Sequence, residues 1–428
     1  MAATFKFGNG NWAVKEDLAL AYNDENGNFK PLPFDFTRAS TATRVNKDGL
    51  IENVPSGKPR IDFLDNTSGH LLLEPSRRNI FTDSEDFSSL TGVGGASASN
   101  TTLVTSPKGD STADLLVAGG TGSVQGIYKN ITFSTSTTYS ISVFARAKEV
   151  SVLQLQGGGA SWGGSVYVNF DLTNGTLSEG AGVVSGSAKV EDYGSGWYRC
   201  SFSATTIGTS GNVSFDLVNS LSDGRNATYS GTTGDGLYLW GGQVEDSGSG
   251  VDAEYLTSYI PTEGSSVTRS AEECFDSANS TIVNDSEGVL YAEIAALAND
   301  LSERRITLSQ GGYTNRLVIA FDSGSGASNR LKVAVASSTL SFTSKLYVVD
   351  DITEFNKIAL RWDSDGFDFY VNGSQRGSHG TSPNFTNDIL DDLSFTNAAG
   401  SQEFFGKAKD LRIYNTALSD TEMAQLTS

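Results

Sequence analysis

Phe355-Asn356-Lys357-Ile358-Ala359-Leu360-Arg361-Trp362 runs into Asp363-Ser364-Asp365-Gly366 and then Phe367-Asp368-Phe369-Tyr370-Val371-Asn372-Gly373. Apolar and polar residues alternate on both sides of an acidic-Gly turn, and a second turn falls at Asn-Gly. That is the pattern of consecutive antiparallel strands. Downstream, Lys409-Asp410-Leu411-Arg412-Ile413-Tyr414 reads as one more strand. Ser419 then opens a short helix, with Glu422 three residues on as in a capping box.

Composition extends this reading to the rest of the chain. The sequence holds 428 residues, too many for one compact core, and roughly two or three domains are expected. It has 47 glycines and only 8 prolines, with Ser and Thr crowding the connections between short apolar runs. Many short strands joined by Gly/Ser/Asn/Asp turns give this balance, so the fold class is all-β. Aromatic residues at 10% argue against a low-complexity chain. The formal charge of −20, without a Lys/Arg cluster, excludes a phosphate-binding surface and hence a nucleic-acid partner. No apolar stretch approaches the roughly 20 residues that span a bilayer. Met1-Ala2-Ala3-Thr4-Phe5-Lys6-Phe7-Gly8 lacks the charged-then-apolar order of a signal peptide, which predicts synthesis in a cytoplasm without the usual export. Cys200 and Cys274 fit no metal spacing, and whether they pair is left open.

The C-terminal pattern resembles the end of a concanavalin A/laminin G-like β-sandwich. That resemblance implies a ligand, often a glycan, held at the loop edge or on the concave sheet face. A second resemblance lies near the N-terminus. Phe36, Arg38, Ser40, Ala42 and Thr43 are followed by an Asp48-Gly49 hairpin signal. Pro59-Arg60 and Asp62 come next, and then Leu72-Leu73-Glu74-Pro75 with Arg77 and Asn79. This ordered array resembles a segment of bacteriophage virion fibre and spike proteins. In such proteins a carbohydrate-binding-module-like jelly roll follows, and alternating runs such as Tyr139–Ala147 and Gly236–Glu245 fit one here.

The expected organisation is therefore an irregular virion-attachment segment over 1–80, a jelly roll over 81–265 and a concanavalin A/laminin G-like β-sandwich over 266–428. The boundary near 262–275 follows the polar run Pro261-Thr262-Glu263-Gly264-Ser265-Ser266. Phe5, Phe7 and Trp12 are the expected attachment residues. The resemblance further implies a virion location, other virion proteins as partners and a homotrimer. No heptad run predicts a coiled-coil stalk.

A catalytic reading finds little support in the sequence. Concanavalin-like hydrolases place carboxylates roughly 5–9.5 Å apart on an E-x-D-x-x-E strand, which is missing. There is no Gly-x-Ser-x-Gly elbow, and His70 and His379 lie far apart in sequence. The acidic doublets read as turn residues. Calcium is a possible cofactor, with Asp363 and Asp365 as candidate ligands and Asp388, Asp391 and Asp392 as alternatives. Sugar binding needs an aromatic face rimmed by amides. Trp162, flanked by glycines, is the first candidate, with Tyr313 and Asn315 on a second loop. Trp197, Trp240 and Trp362 sit within alternating strands and are expected in cores. The expected function is a non-enzymatic phage appendage, fibre or spike, binding host-surface polysaccharide. A head decoration protein and a polysaccharide depolymerase are the alternatives.

Overall fold

The structure is a computed structural model. It describes residues 2–428 except 11, 16–17, 21, 26–27, 32–33, 164–165, 249–251, 323, 325–327, 386–388, 399 and 401, and describes backbone only between 13 and 33. The fold is all-β, with one α-helix among the described residues, Asp420–Leu426. Two compact units form. Unit 1 holds residues 1–41, 54–75 and 271–428, and unit 2 holds 42–53 and 76–270. Residues 1–80, expected as a segment of their own, are thus divided between the two.

Unit 1 is a sandwich of antiparallel sheets. In the larger sheet, Ser374–His379, Gly366–Val371, Asn356–Asp363, Gly288–Ala296, Gly406–Tyr414 and Phe5–Gly8 lie side by side. The smaller sheet runs Thr343–Val348, Arg330–Ala336, Arg316–Phe321, Arg304–Ser309 and Asp392–Ser394. Strict period-2 alternation sends Leu290, Ile294, Leu360 and Ile413 from one sheet, and Ile306, Leu317, Ile319 and Val333 from the other, into one core. The turns follow their residues. Asn372 and Gly373 both take positive φ, as a two-residue hairpin of this twist requires. Asp363 closes the acidic turn by accepting from the Asp365 and Gly366 amides. The Asp420–Leu426 helix begins with a full Ser419/Glu422 capping box.

The N-terminal aromatics belong to this core. Phe5 pairs with Ile413 and Phe7 with Leu411 across adjacent strands. Phe5, Phe7 and Trp12 are all buried, and Trp12 packs edge-on to Phe7 and donates its indole N–H to the Ser68 carbonyl at 2.7 Å. Their expected role as free attachment residues is corrected accordingly: the Phe-Lys-Phe alternation is a strand buried on one face, not an irregular docking segment.

Arg38, Arg60 and Glu74 of the leading motifs converge on Glu272. Arg38 donates to its Oε1 at 2.6 Å and Arg60 donates to the same oxygen at 2.8 Å. Arg60 also ion-pairs with Glu272 Oε2 and bonds Glu74 at 2.8 Å, while the Glu74 amide bonds Glu272 Oε2 at 3.0 Å. All four side chains are buried. Burial alone would push the Arg60 guanidinium down, but Glu272 and Glu74 more than offset it and hold it above its ordinary range.

Unit 2 is a jelly-roll-like sandwich. One sheet orders Ser97–Asn100, Asp114–Val117, Gly236–Asp246, Thr138–Ala147, Trp197–Thr205 and Lys189–Asp192. The other orders Thr91–Val93, Gln125–Thr132, Ser210–Val218, Val152–Gly158, Tyr167–Asp171 and Thr176–Glu179. Asn79 pins this unit by donating to the Gly242 and Ile260 carbonyls and accepting from the Phe81 and Val244 amides. Cys200 and Cys274 are both free and buried, and burial pushes each thiol up.

Candidate functional site

The outward face of the five-stranded sheet in unit 1 brings together the features a ligand surface needs. Register places Thr307 opposite Val318, Ser309 opposite Arg316, and Arg305 opposite Ala320. The next strand sets Ala336 opposite Arg316 and Ala334 opposite Val318. Alternation directs these residues away from the main core. Val318, Ala320 and Ala334 make a buried small-residue floor of their own.

Two aromatic rings rise from this floor. Tyr313, on the turn between Arg304–Ser309 and Arg316–Phe321, is 52% exposed, and Phe342, ahead of Thr343–Val348, is 42% exposed. Between them lies the Arg316 guanidinium, 4.7 Å from the Tyr313 ring centroid and 4.6 Å from that of Phe342. Arg305 stands 5.9 Å from the centroid of the same Phe342 ring. Leu346 and Val348 add exposed apolar surface on the edge strand. Rings flanked by cations hold their planes fixed, and a fixed ring costs little entropy when a ligand stacks on it.

The remaining charges of the face are mutually paired. Arg305 bonds Glu303 at 2.8 Å, and Lys332 bridges Glu303 and Asp322. Arg330 also pairs with Asp322. Burial would raise both carboxylates, but hydrogen bonds and charge from Lys332 with Arg305 or Arg330 leave both below their ordinary range. Arg316 differs: burial and the neighbouring Arg305 charge push its guanidinium down.

Of the residues expected from sequence, Tyr313 lies on this face. Asn315 closes the same turn, donating to Gln310 Oε1 at 2.6 Å. Trp162 is corrected. It is only 3% exposed, packs 4.8 Å from Phe133, and donates its indole N–H to the Asn212 carbonyl at 3.1 Å. The neighbouring glycines explain the misreading. A Cβ on Gly157 would stand 2.7 Å from the indole, so the missing side chain makes room for the ring rather than freeing a loop.

Asp363 and Asp365 do not make a calcium cage. One Asp363 oxygen is spent on the turn, Asp365 is exposed, and no group of three His, Cys, Asp or Glu converges among the described residues. Calcium takes six to eight oxygens, which two turn carboxylates do not supply. Asp391 and Asp392 lie in and beside the Asp392–Ser394 strand without joining such a group, and Asp388 is outside the described residues. Sequence reading missed Arg316, Phe342 and Arg305. The available signals were an Arg opening the otherwise apolar Arg316–Phe321 run and a lone aromatic in the Ser/Thr-rich 337–344 stretch.

Unit 2 offers a rival face, but its own chain covers it. Gln154 donates to Asn169 Oδ1 at 2.8 Å and to the Gly224 carbonyl at 3.0 Å. Asn169 donates to the Leu221 and Asp223 carbonyls. Beneath this segment, Asp216 is held by Gln156 and Ser214, and burial, only partly opposed by those bonds and by Arg225, pushes its carboxyl up to about 7. A folded-state pKa above the unfolded one means the folded carboxyl retains a proton that the unfolded chain releases near pH 4. Asp216 therefore costs stability progressively from about pH 4 to about pH 7, and no further above that. Asp216→Asn removes this dependence. Relative to the parent, the variant should gain on the order of 4 kcal/mol between pH 4 and pH 7. Thermal unfolding across that range checks it, and a difference that stays flat with pH would refute the buried neutral carboxyl.

Residues 292–424 match the family model described as "Concanavalin A-like lectin/glucanases superfamily" (Laminin_G_3), a span that takes in the smaller unit 1 sheet and about half of the larger one. The sandwich carrying the site is of the concanavalin A-like, laminin G-like class. Among solved structures, the chain is similar to the Ruminococcus gnavus IT-sialidase CBM40 bound to alpha2,3 sialyllactose. That match has 10% identity and a TM-score of 0.29, covering 36% of this chain and 94% of that one. It is also similar to the botulinum neurotoxin serotype D binding domain, at 10% identity and a TM-score of 0.29 over 36% of this chain and 39% of the other. A leech intramolecular trans-sialidase matches at 13% identity and a TM-score of 0.28, over 34% and 23%. At these scores none of the three likenesses bears on function. No curated protein matches the chain. Among the described residues no helix is long and apolar enough to cross a membrane.

Proposed function

We propose that this chain is a non-enzymatic glycan-binding appendage of a bacteriophage virion, a fibre or spike, with the outward face of the five-stranded sheet as its receptor surface. One observation carries the binding claim: Tyr313 and Phe342 stand exposed above a floor of small residues, held apart by Arg316. A pyranose has one apolar C–H face and a hydroxyl rim. Stacking on rings satisfies the first, and the charged side chains of this face suit the second. The virion assignment rests on the four ordered motifs between Phe36 and Asn79, and with it comes the expectation of a homotrimer held to other virion proteins. Weak single contacts repeated in a trimer gain avidity without new chemistry.

The test is binding of the full chain to an immobilised glycan array, followed by titration of the best ligand. Tyr313→Ala and Phe342→Ala should each weaken binding roughly tenfold, about 1.4 kcal/mol, with unchanged thermal unfolding. Both residues are half exposed, so the fold does not depend on them. Undiminished binding by both variants would remove the site from this face. Release of reducing ends from host capsule would instead favour a depolymerase.

A further inference from the structure

Among the described residues, Arg305, Arg330 and Lys332 of the same face are each ion-paired, and Arg316 is not. Arg316 is only 7% exposed, and its Nε and Nη1 are buried with no hydrogen-bond partner among the described residues. Register explains why nothing reaches them, because its cross-strand neighbours are Ser309 and Ala336, both too short. Asp392, one strand further on opposite Ser309, already accepts at Oδ1 from the Ser394 hydroxyl at 2.6 Å. Glu303 and Asp322 are each shared between two other cations. A buried guanidinium without an acceptor is costly, because it has given up water and gained nothing in exchange. A face meant for neutral sugar alone has no need of it, since paired polar groups would hold the rings as well.

We infer that Arg316 is the receptor for a carboxylate on the bound saccharide, so that the ligand is an acidic glycan containing uronate or ulosonate residues. The inference rests on the glycan-binding reading above and narrows its substrate class. Rings on both sides of the guanidinium leave only its planar edge for a ligand, and a planar edge matches the two oxygens of a carboxylate. Phosphate and sulfate sites instead gather several donors or backbone amides around a tetrahedral group. Both rings are exposed enough to shift as the carboxylate enters. An acidic ligand approaching a chain of net charge −20 gains nothing from long-range attraction. Discrimination must therefore come from this one short-range contact, and it should appear in dissociation rate rather than association rate.

The experiment is calorimetric titration of the full chain with uronate- and ulosonate-containing oligosaccharides, each beside its carboxyl-reduced form and a sulfated neutral analogue. The parent should bind the acid 10- to 100-fold more tightly than its reduced form. Arg316→Met should abolish that preference, and Arg316→Lys should restore part of it. Met keeps the packing stem and removes a desolvated, unpaired charge, so Arg316→Met should melt no lower than the parent, a result a merely structural arginine would not give. Equal binding of acid and reduced forms, a stronger preference for the sulfated analogue, or a preference that survives Arg316→Met would overturn the inference while leaving glycan binding intact. Binding of neither form would overturn the inference and the glycan-binding reading together.

Discussion

Glu272→Ala should destabilise unit 1 by about 3–5 kcal/mol, lowering its melting temperature by on the order of 10 °C. Glu272 is the acceptor for two buried guanidinium groups, Arg38 and Arg60, and for the Glu74 amide. Removing it leaves two cations in a dry site, with Glu74 still bonded to Arg60. Breaking a buried pair from one side costs far more than the pair itself contributes, because the survivors cannot regain water. Glu272→Gln keeps the shape and some acceptor capacity, so its loss should fall between parent and Ala. Denaturant unfolding of the full chain measures both. A loss below about 1 kcal/mol for Glu272→Ala would mean that water reaches the cluster and that the network is not the organising centre of unit 1.

Trp162→Ala should cost unit 2 about 3–5 kcal/mol and leave saccharide affinity unchanged. The indole fills a cavity between Phe133, Tyr139 and the Gly157 backbone, and its N–H satisfies the Asn212 carbonyl. Truncation therefore loses transfer energy, leaves a void and orphans an acceptor. Trp162→Phe should recover much of the packing but not the hydrogen bond, placing it about 1–2 kcal/mol below the parent. Chemical denaturation with a probe in unit 2 reads the stability, and titration with the array-selected glycan reads the affinity. A stable Trp162→Ala protein with weakened glycan binding would restore the loop reading of this tryptophan.

Alternation made the all-β class and the C-terminal sandwich legible, because a period of two in Asn356–Asp363 and Gly366–Val371 admits no other regular structure. Turn chemistry was equally readable, since Asn372-Gly373 and the Ser419/Glu422 box act through neighbouring residues alone. What local pattern could not give was the environment supplied by distant chain. Phe5 and Phe7 looked like an adhesive aromatic segment because the strand covering them, Gly406–Tyr414, lies some 400 residues away. Trp162 looked exposed because its glycines were read as mobility, when Gly157 is the space the ring occupies. The motif residues Arg38, Arg60 and Glu74 could be recognised as a set, but their shared partner, Glu272, lies outside every motif. The site was half visible for the same reason. Tyr313 announced itself on a Gly-rich turn, whereas Phe342 and Arg316 become neighbours only when three strands pair.

Saccharide should sit on the outward face of the five-stranded sheet in unit 1. A crystal structure of the full chain with the tightest ligand from the array tests it most directly. The predicted result is a sugar ring in van der Waals contact with Tyr313 and Phe342, with its polar rim towards Arg316 and Arg305. A saccharide seated instead on the Gln154–Asn169 face of unit 2, or at the Asp363–Gly366 turn, would contradict the account.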